Sequence, residues 1–335
     1  MKLLMNAAVL VPMLAGLLAA GQADAQTTIR FATTLPDNNA VVTQLLQPWA
    51  DYVNANSKGE LVIELVNGGT VANGANVLDR IADGVVDGGW VLPGYTGKPF
   101  PRTLIVGLPF VAKSAQEATA GLNALLDAGM LDDEYSNVAV GSLAASSTNG
   151  LHTKQEAGPL QQAAGLKLRV ADKAGAGIAA AVGASGISMP VTEAYQAISQ
   201  GVVDGIITGW PGVFLFKLQD VVNHHLEVPL GQLPVSLLFN KDVWDGLSAE
   251  QQALLRRTDG DVSLAVHIGA WYDQSSERFK QTILKDGNHR LATLDDATYS
   301  AWEGAISGVV AGWVAETEGG QAVLDTFKKG VASVR

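Results

Sequence analysis

The sequence contains no cysteine, which removes disulfides, thiol nucleophiles, cysteine-ligated metals and a lipid-modified anchor together. Charged residues are sparse at 16% and unbalanced, with 33 aspartates and glutamates against 22 lysines and arginines, a net −11. That deficit of positive charge argues against nucleic acid as a partner. Beyond residue 25 no apolar run approaches the roughly 20 residues that a membrane-spanning helix needs. Enzyme signatures are missing too. There is no Gly-x-Ser-x-Gly elbow, no His-Glu-x-x-His and no P-loop, and the small-residue spacing at Gly175-Ala176-Gly177 lacks the third glycine of a dinucleotide fingerprint. Adjacent His224 and His225 should point apart and have no clustered third ligand in the sequence, so they read as surface or turn residues and not as a metal site. No cofactor and no metal are expected.

What remains is a globular composition, 47% hydrophobic, with enough chain for two domains that each hold a core. The first 25 residues differ from the rest. Lys2 precedes an apolar run over residues 10–20, and Ala23-Asp24-Ala25 supplies small residues for cleavage, the pattern of a secretory signal removed after Ala25. We therefore expect a periplasmic protein that is not membrane-anchored, and expect it to be a monomer. An acidic protein repels anions at long range, so a carboxylate ligand would need a local positive charge in a sheltered pocket.

The pentapeptide Gly-Val-Val-Asp-Gly occurs twice, at residues 84–88 and 201–205. A short helical pattern precedes each copy, residues 76–83 and 192–199, and an apolar stretch follows each into Trp and Pro-Gly, so that Trp90 with Pro93-Gly94 is expected to answer to Trp210 with Pro211-Gly212. A helix that stops at glycine and delivers a buried strand is one unit of an α/β domain. Two such units predict two similar lobes facing one cleft, each a mostly parallel sheet flanked by helices. The chain crosses into the second lobe near Thr148. From residue 248 a helical pattern can be followed to residue 285, weakened at Asp259-Gly260-Asp261. Unbroken it would reach about 55 Å and span both lobes; broken at Gly260 it would be two ordinary helices.

Arg169 lies in the run Leu166-Lys-Leu-Arg-Val, on a strand that should be largely buried. It either grips an anion in the cleft or forms a structural ion pair. A guanidinium suits a carboxylate because two parallel hydrogen bonds fix orientation as well as affinity. Aromatic residues cluster at the ends of the repeated strands, and ligands of open α/β sheets bind beyond those ends.

The segment 165–170, Gly-Leu-Lys-Leu-Arg-Val, and the stretch from Ala184 through Met189-Pro190-Val191-Thr192-Glu193 to the second repeat resemble the solute-binding proteins of tripartite ATP-independent periplasmic (TRAP) transporters. Phe31-Ala-Thr-Thr-Leu-Pro, Gly107-Leu-Pro-Phe and Phe239-Asn-Lys-Asp-Val-Trp-Asp-Gly-Leu extend the likeness over nearly all of the chain after residue 25. The resemblance implies a two-lobed fold that closes over an organic anion, with a long helix spanning both lobes, and a membrane permease as partner. It also implies that Arg169 pairs with the ligand carboxylate. Two features depart from sugar-acid binders: Ile206-Ile-Thr-Gly-Trp-Pro follows the second repeat, and Asn149-Gly-Leu-His-Thr stands where a second arginine is found in those members. A monocarboxylate with an apolar or aromatic body is expected instead. Trp210 and Trp90 would flank that body, Tyr95 and His152 would donate to a hydroxyl or keto oxygen, and Thr208 and Asn240 are further polar candidates. Lobe I is expected to comprise residues 26–148 and 236–274, and lobe II residues 149–235 and 275–335. A periplasmic sensing component, or a periplasmic enzyme, remains open as another role for the same fold.

Overall fold

The computed structural model describes residues 26–335 apart from Ala157 and Thr293, so the expected signal segment lies outside the described residues. Thirteen strands are present among them: β1 (Thr27–Ala32), β2 (Leu61–Val66), β3 (Gly88–Val91), β4 (Val138–Ala145), β5 (Gly150–Thr153), β6 (Lys167–Val170), β7 (Ser185–Ser188), β8 (Gly205–Thr208), β9 (His224–Leu226), β10 (Pro234–Asn240), β11 (Arg257–Thr258), β12 (Val262–Ser263) and β13 (Arg290–Ala292). Lobe I carries the order β2-β1-β3-β10-β4 and lobe II the order β13-β9-β5-β8-β6-β7. Read from opposite ends, the two sheets correspond over five strands, and lobe II adds β13 beside β9. Each has a parallel trio (β2-β1-β3; β7-β6-β8) beside an antiparallel strand, β10 or β5, so the sheets are mixed.

The repeated pentapeptide does the same work in both lobes. Gly84 (φ 69°) and Gly201 (φ 74°) adopt the left-handed conformation that ends the preceding helix. The second valine of each copy, Val86 or Val203, is fully buried. The aspartate carboxylate then accepts a main-chain N–H from the neighbouring parallel strand: Asp87 from Arg30 at 2.7 Å and Asp204 from Lys167 at 2.8 Å. In register, Ala32 faces Gly89 while Arg169 faces Ile206. Arg169 therefore occupies the strand position that lobe I gives to Ala32, and only lobe II brings a cation to it.

The helical pattern from residue 248 does break at Gly260, whose φ of 75° sits in the turn between β11 and β12. Beyond the break runs a 21-residue helix, Leu264–Leu284, about 31 Å long. Its Leu264, Ala265 and Ile268 pack into lobe I, and Ile283 packs into lobe II. The two sequence alternatives thus combine: the helix is broken, and the longer piece still spans both lobes. Pro48 is accommodated by one π-helical turn, Val42–Leu46, immediately before the helix Gln47–Asn56, because proline cannot supply the N–H of a regular α-turn.

The expected lobe boundaries need two corrections, the smaller being that β10 of the lobe I sheet begins at Pro234 and not at residue 236. The C-terminal helix Gly320–Ala332 packs on the lobe I helix Ala115–Asp127, and its Val323, Leu324, Phe327 and Val331 share a core with Leu122 and Leu143. Residues 320–332 therefore belong with lobe I. Periodicity predicts a helix there but carries no record of which lobe receives its apolar stripe.

Candidate ligand-binding site

Between the lobes lies a cavity of about 540 Å³, within the roughly 300–1,000 Å³ usual for small-molecule sites. Its walls begin where strands end: Thr34 and Leu35 follow β1, Leu92 and Tyr95 follow β3, and Gly209 follows β8. Trp90, Phe216 and Tyr272 add aromatic surface, and Ser146, Ser147 and Asn149 come from the segment that crosses between the lobes. Burial pushes the Tyr272 phenol up, so it stays a neutral donor. No lysine or arginine appears among the described lining residues, and the one charged side chain is Glu193, exposed on the first turn of the helix Val191–Ser199.

Positive charge stands just behind this wall. Arg169 is 1% exposed; its Nε donates to the Met189 carbonyl at 2.8 Å and its Nη2 donates to the Tyr95 hydroxyl at 2.9 Å. No acceptor among the described residues takes a hydrogen bond from Nη1. Because the Tyr95 oxygen accepts from Arg169, its own proton is free for another acceptor. Asp172, at the cap of the helix Lys173–Ala181, lies close enough to Arg169 to be influenced by its charge. Burial raises the Asp172 carboxyl above its ordinary range, and the Gly175 N–H and Arg169 offset only part of that rise. Arg169 thus has one carboxylate in its field and still keeps an uncommitted guanidinium edge.

The sequence matches the bacterial extracellular solute-binding proteins, family 7, over residues 31–317. The chain belongs to this family. Over 331 residues it is 23% identical to the ectoine/5-hydroxyectoine-binding periplasmic protein UehA of Ruegeria pomeroyi, covering 94% of each chain. A TRAP solute-binding protein from Bordetella bronchiseptica with bound (R)- and (S)-mandelate superposes with a TM-score of 0.80 at 26% identity, covering 92% of this chain and 100% of that one. A marine metagenome TRAP solute-binding protein specific for aromatic acid ligands, in complex with metahydroxyphenylacetate, gives a TM-score of 0.84 at 23% identity, covering 92% and 99%. The protein is therefore a TRAP-type solute-binding receptor and not an enzyme, and its relatives take small organic acids. The family works outside the cytoplasm with a membrane permease; among the described residues no helix is long and apolar enough to cross a membrane.

The receptor brings Trp90, Tyr95 and Thr208 to the cavity wall, with Arg169 behind Tyr95. Three other candidate residues lie elsewhere. Asn240 caps the helix Lys241–Asp245 by accepting from Val243 N–H, and donates to the carbonyls of Ile81 and Ala82. Trp210 faces away from the cavity, and its indole N–H donates to Glu227 at 2.9 Å. The parallel drawn between the two tryptophans fails by register: Trp90 is two residues past the glycine that opens β3, whereas Trp210 is beyond the end of β8. His152 is buried on β5 beside β8, where its Nε2 bonds the Thr208 carbonyl at 3.1 Å. Nor are His225 and its neighbours isolated surface histidines, since His225 joins His152 and His289 in one chain of rings. Phe216, one of the aromatics expected past the second repeated strand, does line the cavity, whereas Ser147 and Tyr272 were not anticipated; only the proximity of Ser147 to the crossing at Thr148 carried a signal.

Proposed function

We propose that this receptor captures a small monocarboxylate with an apolar or aromatic body and hands it to a TRAP permease. The observation that carries the reading is the single buried guanidinium, Arg169, with a free edge beside a cavity whose walls are mainly apolar and aromatic. One cation matches one carboxylate, and Glu193 at the rim disfavours a second negative group. The carboxylate would receive Arg169 from lobe II and the Tyr95 proton from lobe I, so it would stabilise the closed form in preference to the open one, which is what drives closure. Trp90, Tyr272 and Phe216 would enclose the body. The mandelate held by the Bordetella bronchiseptica relative supports this ligand class.

A thermal-shift screen of benzoate, phenylacetate, mandelate, aliphatic monocarboxylates, dicarboxylates, sugar acids and ectoine tests it. A cognate acid at about 100 times its Kd stabilises by roughly 2.7 kcal/mol, a readable shift. Stabilisation by dicarboxylates or sugar acids alone would overturn the ligand class. Uptake of the hit into vesicles that hold the cognate permease, dependent on added receptor, tests delivery; a receptor that engages a membrane sensor instead would leave uptake unchanged.

A further inference from the structure

We propose that His289, His225 and His152 form a one-directional hydrogen-bond chain that fixes the Thr208–Gly209 peptide in the wall of the ligand cavity, making His152 a positioning residue for ligand capture. The proposal rests on the cavity being the ligand site.

Three distances define the chain. His289 Nδ1 lies 2.9 Å from His225 Nε2, His225 Nδ1 lies 2.8 Å from His152 Nδ1, and His152 Nε2 lies 3.1 Å from the Thr208 carbonyl oxygen. A carbonyl only accepts, so His152 carries a proton on Nε2. A neutral His152 then presents a lone pair at Nδ1, which requires a proton on His225 Nδ1. A neutral His225 in turn presents a lone pair at Nε2, which requires a proton on His289 Nδ1. Every tautomer is set by one carbonyl, and all three bonds point inward toward the cavity wall.

The alternative adds one proton: His152 becomes a cation that donates at both ends, and the two imidazole–imidazole bonds reverse. Burial disfavours it. His152 and His225 are 1% and 2% exposed, and no carboxylate is hydrogen-bonded to either ring among the described residues. Asp220 and Asp286 act on His289, at the outer end, and His224 adds repulsion at His225. Desolvation accordingly holds the His152 imidazole down to about 4. Trp210 seals the chain, with its ring 5.0 Å from His152 and 4.7 Å from His225.

What the chain grips is a point of tight geometry. Thr208 and Gly209 both line the cavity. The Gly209 Cα is pressed against the crossing segment, where an added Cβ would lie 2.1 Å from Ser147 Oγ and 3.1 Å from the Thr148 carbonyl oxygen. The peptide is held on one side by this contact and on the other by His152. Rotating it would swing the Thr208 carbonyl and the Gly209 N–H within a stretch of backbone that lines the cavity.

The test has two independent parts. In receptor labelled with ¹⁵N-histidine at pH 7.5, imidazole ¹H–¹⁵N correlation spectra should show His152 protonated on Nε2, and His225 and His289 on Nδ1. A proton on His225 Nε2 would overturn the chain's direction, whatever the ligand is. In the second part, His152→Gln keeps an amide donor near the place of Nε2, whereas His152→Asn moves it to the place of Nδ1. With mandelate or benzoate as probe, the Gln variant should bind within about threefold of the parent and the Asn variant about tenfold more weakly, the loss of one buried hydrogen bond. Equal affinities in the two folded variants would sink the positioning role. If His152→Asn does not fold, His289→Leu at the half-buried outer end replaces it, with His289→Asn as the donor-keeping control; a His225 spectrum identical in both would count against the chain. Should neither acid bind the parent, the monocarboxylate found in the thermal-shift screen replaces them as probe, and the tautomer pattern still decides the chain.

Discussion

Arg169 in lobe II and Tyr95 in lobe I are joined across the cleft by a 2.9 Å hydrogen bond from Nη2 to the phenol oxygen. The pair couples the cation proposed as the ligand's anchor to the opposite lobe, and it leaves the Tyr95 proton and the Arg169 Nη1 edge uncommitted.

Removing the cation should therefore be severe. Hydrogen bonds to charged groups contribute about 1.5–3 kcal/mol each, so Arg169→Ala is expected to weaken a bound monocarboxylate by about a hundredfold or more in calorimetric titration. Arg169→Lys should recover little of that loss, because an ammonium lacks the planar fork. Tyr95→Phe, which deletes one neutral donor, should cost about tenfold. Parent-like affinity in Arg169→Ala would remove the anchor from the site.

The two tryptophans should separate by phenotype. Trp90 lines the cavity, so Trp90→Leu is expected to weaken the cognate acid at least tenfold, in line with the loss of an aromatic wall. Trp210 meets histidines and Glu227 instead. Trp210→Phe keeps a ring and loses one N–H bond, so it should lower unfolding free energy by about 1 kcal/mol while leaving affinity within about threefold. The reverse assignment of effects would mean that Trp210 turns into the cavity when ligand enters.

Gly209 offers a steric prediction. A Cβ there would meet Ser147 Oγ at 2.1 Å, Ser147 Cβ at 3.1 Å and the Thr148 carbonyl at 3.1 Å. Overpacking of this kind costs about 1–3 kcal/mol, so Gly209→Ala should lower stability by that amount in denaturant melts. Ser147→Ala removes the nearest atom and should restore part of the loss, giving a favourable coupling in the double-mutant cycle. Simple additivity of the two changes would show that the contact is not where the strain arises.

The architecture was legible because the repeat encodes it in residues that each have a physical job: a left-handed glycine, a buried valine and an aspartate that accepts a strand N–H. Arg169 was legible because a charge in a buried strand demands a partner. Trp210 was misread because composition past the repeat looks alike while the register differs by three residues, and a strand end decides which way a side chain points. The histidine chain was invisible for another reason. His152, His225 and His289 stand far apart in sequence and on three different strands or their flanks, and only the order β13-β9-β5-β8 stacks them side by side. The lobe that receives the C-terminal helix was likewise a tertiary choice, made by Phe327 against Leu122 and its neighbours.

That stacking predicts how stability responds to acid. His152, His225, His267 and His289 all have their imidazoles lowered from the ordinary 6.5, each chiefly by burial. A histidine depressed in the folded state binds its proton more readily when unfolded, so stability rises with pH wherever the unfolded chain is the better proton acceptor. Stability should accordingly be fully present above about pH 6.5 and fall as the pH drops from there toward 4, the region where His152 in the folded protein begins to titrate. One such histidine contributes up to about 1.4 kcal/mol per pH unit in that window, and His152 alone should account for about 3 kcal/mol by pH 4. Urea melts between pH 7.5 and 4.5 would measure the slope, and His152→Gln, which cannot titrate, should flatten it by about one proton. A stability that stays level through this range would mean that the rings reach solvent or gain protons without unfolding, and the neutral, buried state of the inner pair would have to be abandoned.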